Sequence, residues 1–361
     1  MQRSHLAARR LRVGCLALAA VGAIAMAGMP GSVGRAAAAS RPAHSGNALY
    51  WGAWIGTQFT GTEAPWDMRA VSAFQRLVNG KGLSMIALSS PFEDCYRKPC
   101  TSYSFPAAQF QKIRNYGAIP FFNWGSNAAP IQPNKSRYAL KQVIAGRYDS
   151  YIRTWASAAA RWRHPFFLRF DWEMNGKWYP WGWGANGNGP RDFVLAWRHV
   201  HDIFKSAGAS NATWVWCPNV DPGGVFGPLQ AMYPGGAYVD WTCLDVYNRA
   251  TPWLSFDALF RSTYDVVKAL APTKPMVLAE VATTGRGGSK PDWIHGLLTN
   301  LSRRYPNVRG ILWFEKYASG FDWPIETSTA SKRAFARAIS SPMYVGSTFS
   351  SLPNGPVQPP R

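Results

Sequence analysis

The chain has 361 residues, 14% of them aromatic, and a formal net charge of +20 at pH 7. Its length admits one large domain. Its six histidines are dispersed and no cysteine or histidine group has zinc-ligand spacing, which gives no indication of a metal site. Lysines and arginines are scattered singly through helical segments, so they read first as a solvated basic surface, with association to an acidic wall polymer or nucleic acid as the alternative, marked by steep salt-dependent binding.

In chain order, Arg3, Arg9, Arg10 and Arg12 precede the apolar run "VGCLALAAVGAIAMAG", and the small residues "AAAAS" follow. This is the layout of a cleavable export signal over residues 1–39, with cleavage near Ala39. The run is shorter than the roughly 20 residues of a spanning helix, and no later stretch is comparable. The expectation is a secreted, extracellular protein with no membrane association after cleavage. Arg9 and Arg10 also fit a twin-arginine export route. Cys15 opens the apolar run instead of closing it, which argues against a lipid anchor. Loss of five leader arginines takes the formal charge from +20 to +15. Residues 40–47 form a short linker. Cys95, Cys100, Cys217 and Cys243 remain, an even number suited to an oxidising compartment. Cys95 and Cys100 share one loop and are expected to pair, and a second bridge would join Cys217 to Cys243.

Eight strand candidates follow: "LYWGAWIG", "LSMIALSS", "AIPFFNWG", "FFLRFDWE", "TWVWCPN", "YVDWTCLDVYN", "MVLAEVA" and "GILWFEK". Helical patterns separate them. In "RDFVLAWRHVHDIFKSAG", Phe193, Trp197, Val200 and Phe204 fall on one face and Gly208 is placed to end the helix. Alternating strands and helices predict an α/β fold, a single (β/α)8 TIM barrel over residues 48–342. A doubly wound sheet is the competitor, but "WGAWIGTQFTG" lacks a glycine-rich phosphate turn. The tail 343–361, rich in proline, serine and glycine, is expected to be disordered.

In such a barrel, polar residues at strand ends face the site. Glu173 closes the fourth predicted strand and Glu280 the seventh, across the mouth from each other. Two carboxylates there can flank a glycosidic bond, and a separation of roughly 5 Å suits a retaining glycosidase. The bland alternative is a salt-bridge partner at the barrel mouth, a role open equally to Glu315. Asp171 is expected to hold Arg169 or the site geometry. Sugar rings pack their C–H faces on indoles, so the tryptophans after Glu173 are expected to be substrate platforms, while Trp155 and Trp197 are packing residues.

The segments "LRFDWEMNGKWYPWG", "WVWCPN", "VDWTCLDVYN" and "KPMVLAEVAT" resemble glycoside hydrolase family 26, β-mannanase-like retaining enzymes on the (β/α)8 barrel. The resemblance covers roughly residues 48–342. It implies that Glu173 is the general acid/base and Glu280 the nucleophile, with Tyr247 orienting the nucleophile. It further implies Trp313 as the aromatic floor under the cleaved sugar, Trp178 as its flank, and Trp172, Trp181 and Asn219 among the sugar contacts. No cofactor is needed. The implied substrate is a polysaccharide, β-1,4-mannan first, cleaved internally by a monomer that binds no nucleic acid. Many mannanases of this family carry histidine immediately before the acid/base, and this chain has Trp172, which leaves β-1,3-1,4-glucan and β-1,3-xylan open as backbones. A non-hydrolytic polysaccharide-binding protein is the rival from another class, and the presence of both glutamates argues against it.

Overall fold

A computed structural model describes residues 47–361, and the expected export signal lies outside them. Eight strands are β1 (Tyr50–Ile55), β2 (Met85–Asp94), β3 (Ile119–Ala129) and β4 (Phe166–Phe170), then β5 (Ala212–Trp216), β6 (Trp241–Asn248), β7 (Met276–Thr283) and β8 (Val308–Glu315). Each pairs in parallel with the next, and β8 pairs with β1, which closes the barrel. A two-residue strand, Thr101–Ser102, folds back antiparallel on the end of β2.

The helices pack outside because each carries one apolar stripe. In α5 (Pro190–Ser206), Phe193, Trp197, Val200 and Phe204 are all buried, as their spacing predicts. Pro190 opens this helix and the Asp192 carboxylate accepts the Gly189 N–H (2.8 Å), satisfying a donor the helix leaves orphaned. Gly208 follows the helix at φ +74°. Trp155, on α4 (Asp149–Trp162), stacks on Trp124 of β3 with centroids 4.5 Å apart.

Alternation along a strand divides inward from outward side chains. On β6 the odd positions point inward. Trp241 sits at the barrel base, 5.2 Å from Phe167 and 6.2 Å from Tyr50 between centroids. Cys243 follows, bonded to Cys217 just beyond β5. Asp245 and Tyr247 then reach the mouth. The other disulfide joins Cys95 to Cys100.

The tail corrects the expectation of disorder. It runs under the barrel and closes the base. Trp241 Nε1–H donates to the Val357 carbonyl (2.8 Å), the Val357 N–H donates to Thr213 Oγ1 (2.8 Å), and the Tyr50 hydroxyl donates to the Gln358 carbonyl (2.8 Å). Composition reads proline and glycine as unstructured, but a chain that cannot build its own ladder can still satisfy buried donors of the barrel floor. Deleting residues 350–361 should therefore strand the Trp241 indole and lower stability by about 2 kcal/mol or more. A thermal midpoint unchanged by the deletion would contradict this closure.

Candidate active site

The fourth strand ends at Phe170, earlier than the sequence indicates, and Glu173 lies past it on a turn. Asp171 (φ +40°) and Glu173 (φ +53°) both adopt left-handed backbone, a conformation that costs about 1–3 kcal/mol at a non-glycine residue and persists only where neighbours enforce it. They do so here on both sides. The Asp171 N–H donates to the Trp124 carbonyl (3.1 Å) and the Glu173 N–H to the Cys217 carbonyl (2.7 Å). The Asp171 carboxylate accepts from the Ser126 N–H and Oγ, each at 2.7 Å, and so pins the turn to β3. Of the two expected roles, holding Arg169 or holding the site geometry, these bonds give it the second.

Arg169 is fully buried and turns inward from β4. Its guanidinium donates to Glu280 Oε1 (2.5 Å), to Asp245, and to Asn123 Oδ1 (3.3 Å). Glu280 also accepts from the Tyr247 hydroxyl. It therefore faces a cation and a phenol, and both of its oxygens are occupied by donors.

Glu173 has a different environment. Its Oε2 accepts from Trp178 Nε1–H (2.6 Å) and its Oε1 from the Asn219 amide. Burial, and after it the negative charge of Glu280, push its carboxyl up to about 7. Gly176 makes the Trp178 contact possible: a Cβ there would lie 2.2 Å from the indole, so only glycine lets the chain fold that ring back over the carboxylate. Both glutamates, 6% and 7% exposed, line a single cleft of about 970 Å³. Its walls are aromatic, with Trp54, Trp172, Trp178, Tyr247, Phe314 and Trp323 among them. A buried carboxyl whose pKa is raised, beside a buried carboxylate paired with a guanidinium, in an aromatic cleft, is equipped for acid–base and nucleophilic work on a glycosidic bond.

A family model for glycosyl hydrolase family 26 matches residues 108–337. The chain belongs to that family. Endoglucanase H of Acetivibrio thermocellus is 29% identical over 298 residues, 80% of this chain, and the chain spans only about 30% of that relative's length. A beta-1,3-xylanase, TXYA of a Vibrio species, is 28% identical over 114 residues, 30% of this chain and 22% of its own length. Among solved structures, a modular endo-beta-1,4-mannanase from Cellulomonas fimi superposes with TM-score 0.60 at 15% identity, over 87% of this chain and 76% of that one. The beta-mannanase BoMan26A of Bacteroides ovatus gives TM-score 0.58 at 15% identity, over 83% and 90%. At that identity the structural likeness speaks for the shared fold.

Two residues expected in the cleft of this family 26 hydrolase are elsewhere. Trp181 is fully buried: it stacks on Tyr179 (4.5 Å), donates to the Trp172 carbonyl (2.7 Å) and presses on Gly125, where a Cβ would meet its ring at 2.7 Å. It is a wedge that holds the loop against β3. Trp313 faces outward to Phe335 of α9 (Thr329–Ile339), at 5.4 Å, and donates to the Trp323 carbonyl (3.2 Å). Its neighbour Phe314 takes the inward position beside Tyr247 (5.4 Å). Trp172 lines the cleft, donates to the Tyr179 hydroxyl (3.1 Å) and lies 5.4 Å from the Arg169 guanidinium. Glu315 is buried outside the cleft, accepts the Ile325 N–H (3.0 Å), and is pushed well above the ordinary carboxylate range by burial. Among the described residues, Cys217, Cys243 and Asp245 cluster at metal-ligand spacing, but the sulfurs are bonded to each other and Asp245 is bound by Arg169.

Sequence reasoning missed Arg169 as a partner of Glu280, along with Asp245, Ser126, Phe314, Trp323 and Lys290. Lys290 opens α8 (Lys290–Arg304) and is only 3% exposed. Its ammonium donates to the carbonyls of Asp322, Trp323 (3.2 Å) and Pro324 (2.8 Å) and to Thr327 Oγ1 (3.1 Å). It thereby ties down the segment that carries Trp323 into the cleft, 5.4 Å from Tyr247. A lysine at a helix start opposes the helix dipole, and that anomaly was the available signal. Lys290→Met leaves the Asp322 carbonyl without its donor and takes one donor each from the Trp323 and Pro324 carbonyls, which keep Trp313 and Thr327, and should lower unfolding stability by about 2 kcal/mol or more. Chemical denaturation reads it, and an unchanged midpoint would mean the ammonium contributes nothing net.

Proposed function

We propose that this family 26 hydrolase is a secreted, retaining, endo-acting glycosidase that cleaves β-1,4-mannan. The observation that carries the reading is the contrast between two buried carboxyls in one aromatic cleft: Glu280 held by Arg169 and Tyr247, Glu173 raised to about 7. Glu280 attacks the anomeric carbon while Glu173 gives its proton to the departing oxygen. The glycosyl–Glu280 ester is then opened by water, whose proton returns to Glu173 as the carboxylate leaves. Arg169 and Tyr247 hold Glu280 for the attack. Trp178 and Trp172 provide indole surface for the sugar rings, and Asn219 orients Glu173. The open cleft supports cleavage within a chain, and the two disulfides support export to an oxidising compartment. No cofactor enters this chemistry.

A second backbone, a β-glucan, is favoured by the name of the relative from Acetivibrio thermocellus, an endoglucanase, and Trp172 in the position before the acid leaves it open. A reducing-sugar screen of the mature protein on mannan, galactomannan, mixed-linkage β-glucan and β-1,3-xylan separates the backbones. Activity on none of them would sink the hydrolytic reading.

Glu173→Gln and Glu280→Gln should each lose at least about 10³-fold in kcat on the preferred polymer, since neither proton transfer nor attack survives the change. Full activity in both variants would overturn the assignment. The pH profile gives a separate check. Glu173 must be protonated to act as the acid, so kcat/KM should fall as pH rises through about 7. The Trp178 N–H favours the ionised form, and Trp178→Phe should therefore move this alkaline limb to higher pH. A limb that stays fixed or moves down would remove Glu173 from the acid role.

A further inference from the structure

A second, smaller cavity of about 210 Å³ opens off the cleft, with Asn127 and Pro130 lining both. Lys98, Lys135 and Arg137 stand in its wall, and no carboxylate does. Arg137 is met by Glu93 at 2.6 Å, outside the cavity. Neither lysine has a carboxylate partner among the described residues. Both side chains are exposed, and the backbone that carries them is anchored. Lys98 sits in the loop closed by the Cys95–Cys100 disulfide, which is anchored to β3 through the Cys95 N–H and the Ala129 carbonyl (2.7 Å). Lys135 precedes a single helical turn whose Tyr138 N–H donates back to the Lys135 carbonyl (2.8 Å), and the Tyr138 hydroxyl is bonded to Glu93.

The main cleft differs from this cavity: its lining carries three carboxylates, Glu173, Glu280 and Asp221, and its Lys316 is paired with Glu63. Its centre holds Glu173 and Glu280. At its rim Arg249 lies over the Tyr247 ring at 5.4 Å with no acidic partner among the described residues. The side cavity is too small for a run of sugar rings, but it is open to a group branching from a chain in the cleft.

We propose that this cavity is a subsite for an anionic substituent on the polysaccharide, a uronic-acid carboxylate or a sulfate ester, and that the protein prefers acidic over neutral β-glycans. This rests on the reading of the main cleft as a glycan site. Two ammonium groups act as point charges without the planar demand of a guanidinium, so they accept either anion. The Asn127 and Gln132 amides at the same cavity supply neutral donors beside them. The basic excess of the chain, 39 lysines and arginines against 19 acids, adds a long-range attraction for acidic polymers that salt screens.

The test reads binding and not turnover. The full mature chain carrying Glu173→Gln is titrated calorimetrically with three polymers of matched length. They are galactomannan, galactomannan whose galactose side groups are oxidised at C6 to carboxylates, and sulfated galactomannan. The carboxylated or the sulfated polymer should bind about three- to tenfold tighter than the neutral one, as expected for two exposed charge pairs. Whichever of them does so identifies the anion. Lys98→Met combined with Lys135→Met, which removes two charges of the chain's formal excess, should abolish most of that preference. Equal affinity for all three polymers overturns the subsite. So does a preference kept in full by the double variant, which assigns it to general surface charge. Binding of none of the polymers strikes at the glycan reading of the main cleft instead, and so distinguishes the two failures.

Discussion

The site depends on one buried cation. A guanidinium with no exposure to water is tolerated only when its charge is met, because desolvating an unpaired ion costs several kcal/mol. Arg169 meets this condition through its two terminal nitrogens, reaching from β4 to Asp245 on β6, Glu280 on β7 and Asn123 on β3, while its Nε–H has no partner among the described residues. One side chain thus ties four strands at the level where the barrel opens. Arg169 and its two carboxylates together carry a single negative charge. That residual charge lies beside Glu173, which has only neutral donors, an indole and an amide. The difference between the two glutamates therefore comes from where one arginine is spent, and not from their own positions on the barrel.

β6 shows how the two ends of the barrel divide their tasks. Its inward residues run from Trp241 at the base, through Cys243 and Asp245, to Tyr247 at the mouth. The base is sealed by aromatic packing and by the tail, with every named donor satisfied. The mouth spends its polar groups on carboxylates. Stability and chemistry are separated along a single strand, as parallel barrels require when their catalytic loops sit at one end.

The eight strands and the helices between them are legible in the sequence because each is a short apolar run followed by a 3.6-residue period, and the buried faces of α4 and α5 follow from that period. Side-chain direction within a strand was not legible where both faces are buried. The stretch Ile311–Phe314 of β8 is apolar throughout, so no alternation within it distinguishes Trp313 from Phe314, and irregular pairing between β7 and β8 near Leu278 and Val281 removes the register as a guide. Aromatic content misled in the same way. Trp181 lies in a segment without helical or strand period, yet a loop buries an indole readily once a glycine on the neighbouring strand leaves room. Four of the 18 tryptophans line the cleft, and eight are almost wholly buried scaffold, so abundance alone overstates sugar-binding surface. Glu173 and Glu280 were visible as strand-end acids. Arg169 was not visible as their organiser because its partners lie 76 and 111 residues away, and nothing local marks such a pairing.

The strained turn after β4 connects these levels. Two left-handed residues, Asp171 and Glu173, would relax if their neighbours let go, and extended backbone there would carry the Glu173 carboxyl out of register with Glu280. The restraints come from both flanking strands: Ser126 and Trp124 on the β3 side, the Cys217 carbonyl on the β5 side. Cys217 is itself bonded to Cys243, one inward position below Asp245. The backbone that presents Glu173 and the side chain that anchors Arg169 are thus fixed to the same covalent crosslink. Displacing either one moves the frame that holds the other, so the spacing of the two carboxyls is a property of the β4–β7 layer as a whole and not of any single residue in it.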